Sequence, residues 1–101
     1  MKKPSKSRLG KLQWKKLSED TRKLKPNCEY CNATATQVHH LISKFMYKSI
    51  FRFDEHNLLS CCGKCHFLFH KNPLITMEWL KNTRKDDYNY LLGMIKENNL
   101  K

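Results

Sequence analysis

The chain has 101 residues, 40% of them hydrophobic and 11% aromatic, with 20 Lys and Arg against 9 Asp and Glu for a net charge of +11. That length suits one small domain, and no apolar run approaches the roughly 20 residues of a membrane span. The charge points to a polyanionic partner, nucleic acid ahead of an anionic membrane surface, and so small a core predicts a staple.

Residues 1–7 carry Lys2, Lys3 and Lys6 and read as a basic arm, either a solubilising tail or a DNA contact. No apolar stretch follows, so the start does not read as a secretory signal. The expected location is therefore cytoplasmic, where thiols stay reduced. Residues 8–25 predict a helix with Leu9, Leu12, Trp14 and Leu17 as its apolar stripe. Ser18 to Thr21 either interrupts it or starts a second short helix, and Pro26 ends it. Trp14 reads as a core anchor rather than a base-stacking residue.

Residues 27–37 hold Cys28-Glu-Tyr-Cys31 in a knuckle, and residues 33–38 predict a short strand running into His39 and His40. Residues 41–56 form a long connection without Gly or Pro, in which Lys44, Lys48 and Arg52 alternate with Phe45, Tyr47, Phe51 and Phe53. Such interleaving suits a surface that tracks a nucleic-acid backbone, although Phe51 and Phe53 are expected to pack on the core. Residues 57–61 predict a second strand, 62–72 a helix stopped by Pro73, and 74–82 another. Thr83, with Asp86 opposite it, is positioned to cap a third. Tyr88, Leu91, Leu92 and Ile95 share one face of that last helix, which is read as packing.

Every cysteine and histidine falls between Cys28 and His70. Cys28 and Cys31, with Cys62 and Cys65, form two C-x-x-C pairs, and a two-residue spacer lets both thiolates face one ion, as in tetrahedral zinc sites. The fifth cysteine, Cys61, is expected to face the core as a small apolar side chain. His66 and His70 are four apart, on one face of a helix. His39 and His40 are adjacent on a strand, so one is free to bind a metal while the other faces elsewhere. His56 has no comparable partner and is read as a surface residue.

His39-His40-Leu41, then Asn57-Leu-Leu-Ser-Cys-Cys62-Gly-Lys-Cys65-His66, resembles the HNH (ββα-metal) endonucleases of the four-cysteine zinc type. The resemblance covers roughly residues 28–73, and the run through His70 to Pro73 is similar to small phage-encoded members. It implies a small α+β fold: a ββα-metal core of a short two-stranded hairpin and a helix, stapled by zinc, with flanking helices at both ends. Residues 1–26 would form the basic arm and helix, 27–73 the nuclease core, and 74–101 helices packed on it, in a single domain.

The function so implied is hydrolysis of DNA phosphodiester bonds in a bacterial or phage-infected cell. His40 would be the general base, a role its ordinary pKa suits, with His39, Asn57 and His66 as the other catalytic residues. Cys28, Cys31, Cys62 and Cys65 would hold structural Zn²⁺. His39 with His66, His70 or both would hold one divalent ion on the scissile phosphate. Asn57 would be either a metal ligand or the residue that fixes the loop and orients His40. Two positions depart from the family pattern: His39 replaces a frequent Asp, and His70 a frequent Lys or Thr. Both add nitrogen ligands, as in colicin-type DNases, and extend the candidate ions from Mg²⁺ to Mn²⁺, Ni²⁺, Co²⁺ and Zn²⁺. Lys44, Lys48, Arg52, Lys64 and Lys71 are candidate phosphate contacts. DNA is the expected partner, with no membrane and no small-molecule cofactor, for a monomer or homodimer. The alternative is a zinc-stapled DNA-binding module without catalysis.

Overall fold

A computed structural model describes residues 6–99, with side chains from Gly10 onward except those of Lys48 and Asn99. The expected basic arm over residues 1–7, with Lys2 and Lys3, therefore lies almost wholly outside the described residues. Helix α1 spans Lys6–Leu24. Strands β1 (Gln37–His40) and β2 (Leu58–Cys61) form one antiparallel hairpin, and α2 (Gly63–Lys71), α3 (Pro73–Thr83) and α4 (Lys85–Asn99) follow in sequence. This is the small α+β fold expected, with a two-stranded hairpin, four helices and four clustered cysteines.

Helix α1 runs through Ser18 and Thr21 without a break. Their hydroxyls donate back to Lys15 O at 3.1 Å and Leu17 O at 2.7 Å, bonds that a helix interior accommodates, so neither residue caps a new element. Strand β1 starts later than residues 33–38 suggested. Ala33 and Ala35 spend their backbone groups on the knuckle instead, through Cys28 N to Ala33 O and Ala35 N to Pro26 O. Asn32 closes that turn at φ 69°, a left-handed conformation that Asn tolerates. Thr83 does not cap α4, because it is the last residue of α3. Arg84 stands between the helices and lays its guanidinium on Asp87 Oδ2 at 2.7 Å and on the carbonyl of Leu58 at 2.9 Å.

The hairpin register pairs His39 with Leu59 and His40 with Leu58. One core cluster, Cys28, Leu59, Cys61, Cys65 and Phe69, lies beneath the knuckle and α2. A second, Ile42, Phe51, Leu80 and Leu91, joins the long connection to α3 and α4, and Leu41 and Trp79 pack against both. Phe51 is fully buried as expected, but Phe53 is not a core residue: it is 38% exposed, with the Arg52 guanidinium 5.0 Å over its ring. The second edge of β2 is covered by Glu29, which binds Ser60 through backbone (Glu29 N to Ser60 O, 3.0 Å) and carboxylate (Ser60 N to Oε2, 2.8 Å). Glu29 in turn meets Arg84 at 3.5 Å, so one ion pair ties knuckle, hairpin and α4 together.

Candidate metal centres and the histidine cleft

The two C-x-x-C pairs come together although 30 residues separate them in sequence. One loop knuckle brings Cys28 and Cys31. The end of the hairpin brings Cys62, whose sulfur accepts from Cys65 N at 3.4 Å at the start of α2. The four sulfurs lie within 4.8 Å of one another, and Cys31 Sγ is 3.6 Å from Cys62 Sγ. A tetrahedral ion with metal–sulfur bonds of about 2.3 Å needs sulfur–sulfur edges of about 3.8 Å, so these four residues are positioned to hold a metal and fit a structural zinc. Burial works against ionising Cys28, yet backbone amides of Cys31, Cys62 and Tyr30 hold its thiol down at about 7. Cys61 stands apart: it is fully buried, burial pushes its thiol up to about 12, and it lies outside the four-sulfur group.

A second group forms where β1 meets α2. One nitrogen from each of His39, His66 and His70 lies within 4.8 Å of the others. His66 and His70, one turn apart on α2, face each other Nε2 to Nε2 at 3.0 Å, and the His39 ring sits edge-on to both at 5.2 and 4.9 Å. The Oε1 atom of Gln37 accepts from His66 Nδ1. A proton fixed on Nδ1 puts the lone pair of the neutral ring on Nε2, which faces His70; this is the tautomer outer-shell partners impose on metal-binding histidines. His39 Nδ1 is buried and has no hydrogen-bond partner. Burial and the neighbouring His66, His70 and His40 pull His39 down to about 3; burial and His70 also lower His66. Both rings are thus neutral near pH 7, as metal ligands must be. An orphaned buried nitrogen beside two converging imidazoles fits a divalent ion.

His40 faces different partners. Its ring stacks on Trp14 of α1 at 4.4 Å between centroids, so Trp14 contributes to the site as well as to packing. Its Nε2 lies 3.0 Å from the carbonyl oxygen of Arg52. A carbonyl only accepts, so Nε2 carries the proton and Nδ1 of the neutral ring keeps its lone pair. Burial lowers the His40 pKa, the Arg52 carbonyl opposes this, and the Lys44 and Arg52 cations add to the lowering.

Asn57 spends its amide on the backbone of the long connection. It is fully buried; its Oδ1 accepts from Ile42 N at 2.6 Å, and its Nδ2 donates to Ile42 O at 2.9 Å and Phe51 O at 3.1 Å. The amide is spent on clipping together both ends of the loop whose next carbonyl, that of Arg52, holds His40.

The histidines line one cleft of about 460 Å³, shared with Trp14, Lys44 and Phe45. Of the basic residues singled out whose side chains are described, only Lys44 lines it. Lys64 and Lys71 are exposed on α2, and the side chain of Lys48 lies outside the described residues. The Arg52 guanidinium is drawn away to Phe53 and to Gly10 of α1, so Arg52 serves the cleft through its carbonyl. His56 is not a free surface residue: its Nδ1 is 2.8 Å from Asp54 Oδ1, and its ring packs 4.2 Å from Tyr90, whose hydroxyl donates to Asp54 Oδ2 at 2.9 Å. Gln37 was not singled out as a site residue in the sequence, where one polar residue in a short strand carries no signal.

Part of the chain is similar to a known DNA-repair protein. It is 34% identical over 62 residues to a mitochondrial DNA mismatch repair protein mutS homolog of Sarcophyton glaucum, a match that takes in 58% of this chain and 6% of that relative. No family model and no solved structure matches. Among the described residues no helix is long and apolar enough to cross a membrane.

Proposed function

We propose that this chain is a metal-dependent DNA endonuclease of the HNH type. The observation that carries the reading is the His40–Arg52 hydrogen bond, which leaves a free imidazole lone pair in the same cleft as three histidines suited to one divalent ion. His40 Nδ1 takes a proton from a water as the water attacks the phosphorus of a phosphodiester. The bond to the 3′ oxygen breaks, leaving a 5′-phosphate and, once that oxygen is protonated, a 3′-hydroxyl. A divalent ion held by His39, His66 and His70 would neutralise charge on the phosphate and stabilise the departing 3′ oxygen. Asn57 fixes the loop that aims His40, and Lys44 faces the phosphate backbone. Zinc on the four cysteines supplies folding free energy that so small a core lacks. A net charge of +11 favours a polyanion, and the partial similarity to a DNA mismatch repair protein agrees with DNA.

Plasmid nicking with Mg²⁺, Mn²⁺, Ni²⁺, Co²⁺ and Zn²⁺ tests this. Conversion of supercoiled DNA to nicked or linear forms is expected with at least one ion. No cleavage of duplex, branched or single-stranded DNA under any of them, with binding retained, would instead mark a zinc-stapled DNA-binding module.

A further inference from the structure

Three aromatic rings each carry a cation overhead: Phe45 with Lys44 at 5.1 Å, Phe53 with Arg52 at 5.0 Å, and Phe67 with Lys71 at 6.0 Å. Phe53 belongs to a depression along α1 with Leu12 and Leu17, and Phe67 is an exposed residue of α2. Phe45 differs in place. It lines the histidine cleft beside His40 while 78% exposed. The ring is set there by a turn in which the Ser43 hydroxyl accepts from Phe45 N at 3.4 Å and the Ser43 carbonyl from Met46 N at 3.1 Å. Exposure alone does not set it apart, since Leu24 and Leu74 are 84% and 80% exposed and single surface hydrophobics are common; its place at the rim of the histidine cleft does.

The cleft also continues beyond the histidines. A second depression, lined by Ser18, Arg22 and Gln37, shares Trp14, Val38 and His66 with the first. A groove thus runs from Phe45 and Lys44 past the histidines to Arg22: cations at both ends, an aromatic face at one. That matches a single polynucleotide strand, with cations for phosphates and a ring face for a base.

We infer that the cleft acts on DNA with a locally unpaired strand, the base next to the cut phosphate stacking on Phe45. A base inside an intact helix has both faces covered and offers only its edges. A ring at the cleft rim is therefore useful only to a nucleotide that has left the stack, at a gap, bulge, branch or free single strand. This assignment rests on the cleft being the site of phosphodiester cleavage.

The test uses full-length His40→Ala protein and an oligonucleotide carrying one 2-aminopurine, as a single strand, opposite a gap, and in perfect duplex. Binding to the single strand and gap at least about tenfold tighter than to duplex is expected, with the 2-aminopurine emission changing on binding. Phe45→Ala should abolish that change and weaken single-strand binding by roughly 5- to 150-fold, the range for one stacked base, while duplex binding stays put and Phe45→Trp restores the signal. Duplex bound as tightly as single strand, or Phe45→Ala changing single-strand affinity less than about twofold, overturns the inference. Failure of the unmutated protein to cut any DNA overturns the nuclease reading alone, since the stacking signal does not depend on cleavage.

Discussion

His40 Nε2 donates to the backbone carbonyl of Arg52 across 3.0 Å, and this one bond determines which nitrogen of the ring is basic. His40→Ala should therefore lower nicking by about 10²–10⁴-fold, the usual contribution of a positioned general base. The variant should keep its metal content, because His40 belongs to neither candidate ligand group. Nicking rates read beside metal analysis check the claim; an unchanged rate would remove His40 from the chemistry.

Asn57 acts on the same bond from behind. Asn57→Ala strands Ile42 N, Ile42 O and Phe51 O without partners in a fully buried place. The expected cost is about 2–4 kcal/mol in urea unfolding, since each orphaned buried group costs about 1–3 kcal/mol and partial relaxation recovers some of it. Activity should fall while divalent-ion affinity at the histidines holds. A loss of ion affinity that outweighs the loss of stability would restore Asn57 as a ligand.

The adjacent cysteines of β2 and α2 separate cleanly in the structure. Cys62 belongs to the four-sulfur group, and Cys61 is a buried thiol outside it. Cys62→Ser should release zinc and unfold the chain. Cys61→Ala should leave the zinc content at one per chain and cost only a small core cavity, about 1–2 kcal/mol. Zinc released by a colorimetric chelator after unfolding, compared across the two variants, gives the answer.

What the sequence revealed and what it hid divide along physical lines. Ligand residues at fixed short spacing, Cys28/Cys31, Cys62/Cys65 and His66/His70, are legible because one turn or one helical repeat sets their geometry locally. The hairpin and helices follow from apolar runs punctuated by Pro26 and Pro73. Partnerships across the fold leave no such trace. Glu29 with Arg84, and His40 with the Arg52 carbonyl, join residues whose types are common and whose separation is arbitrary. Arg52 itself misleads, because its charge suggested a phosphate contact while its contribution to the cleft is a backbone oxygen that any residue supplies. Phe53 misleads likewise: an aromatic side chain gains by burial, but here it gains partial cover from Arg52 at the surface.

Gln37 gives the sharpest test of the histidine group as a metal site. Its side-chain carbonyl accepts from His66 Nδ1, and it lies one residue before the buried Val38–His39 pair. If an ion binds at Nε2, losing this partner frees the His66 ring to flip or change tautomer, and divalent-ion affinity should drop by about 10- to 100-fold. The fold should survive, because Gln37 is exposed and lies at the end of β1. Titration of Gln37→Ala with Ni²⁺ or Zn²⁺ by calorimetry, on protein whose cysteine site is already full, measures the change directly. Gln37→Glu keeps an acceptor opposite Nδ1 and should hold most of the affinity. Equal affinity in all three proteins would remove Gln37 as the residue that orients His66, and no ion binding in the parent would mean that the rings meet by packing alone.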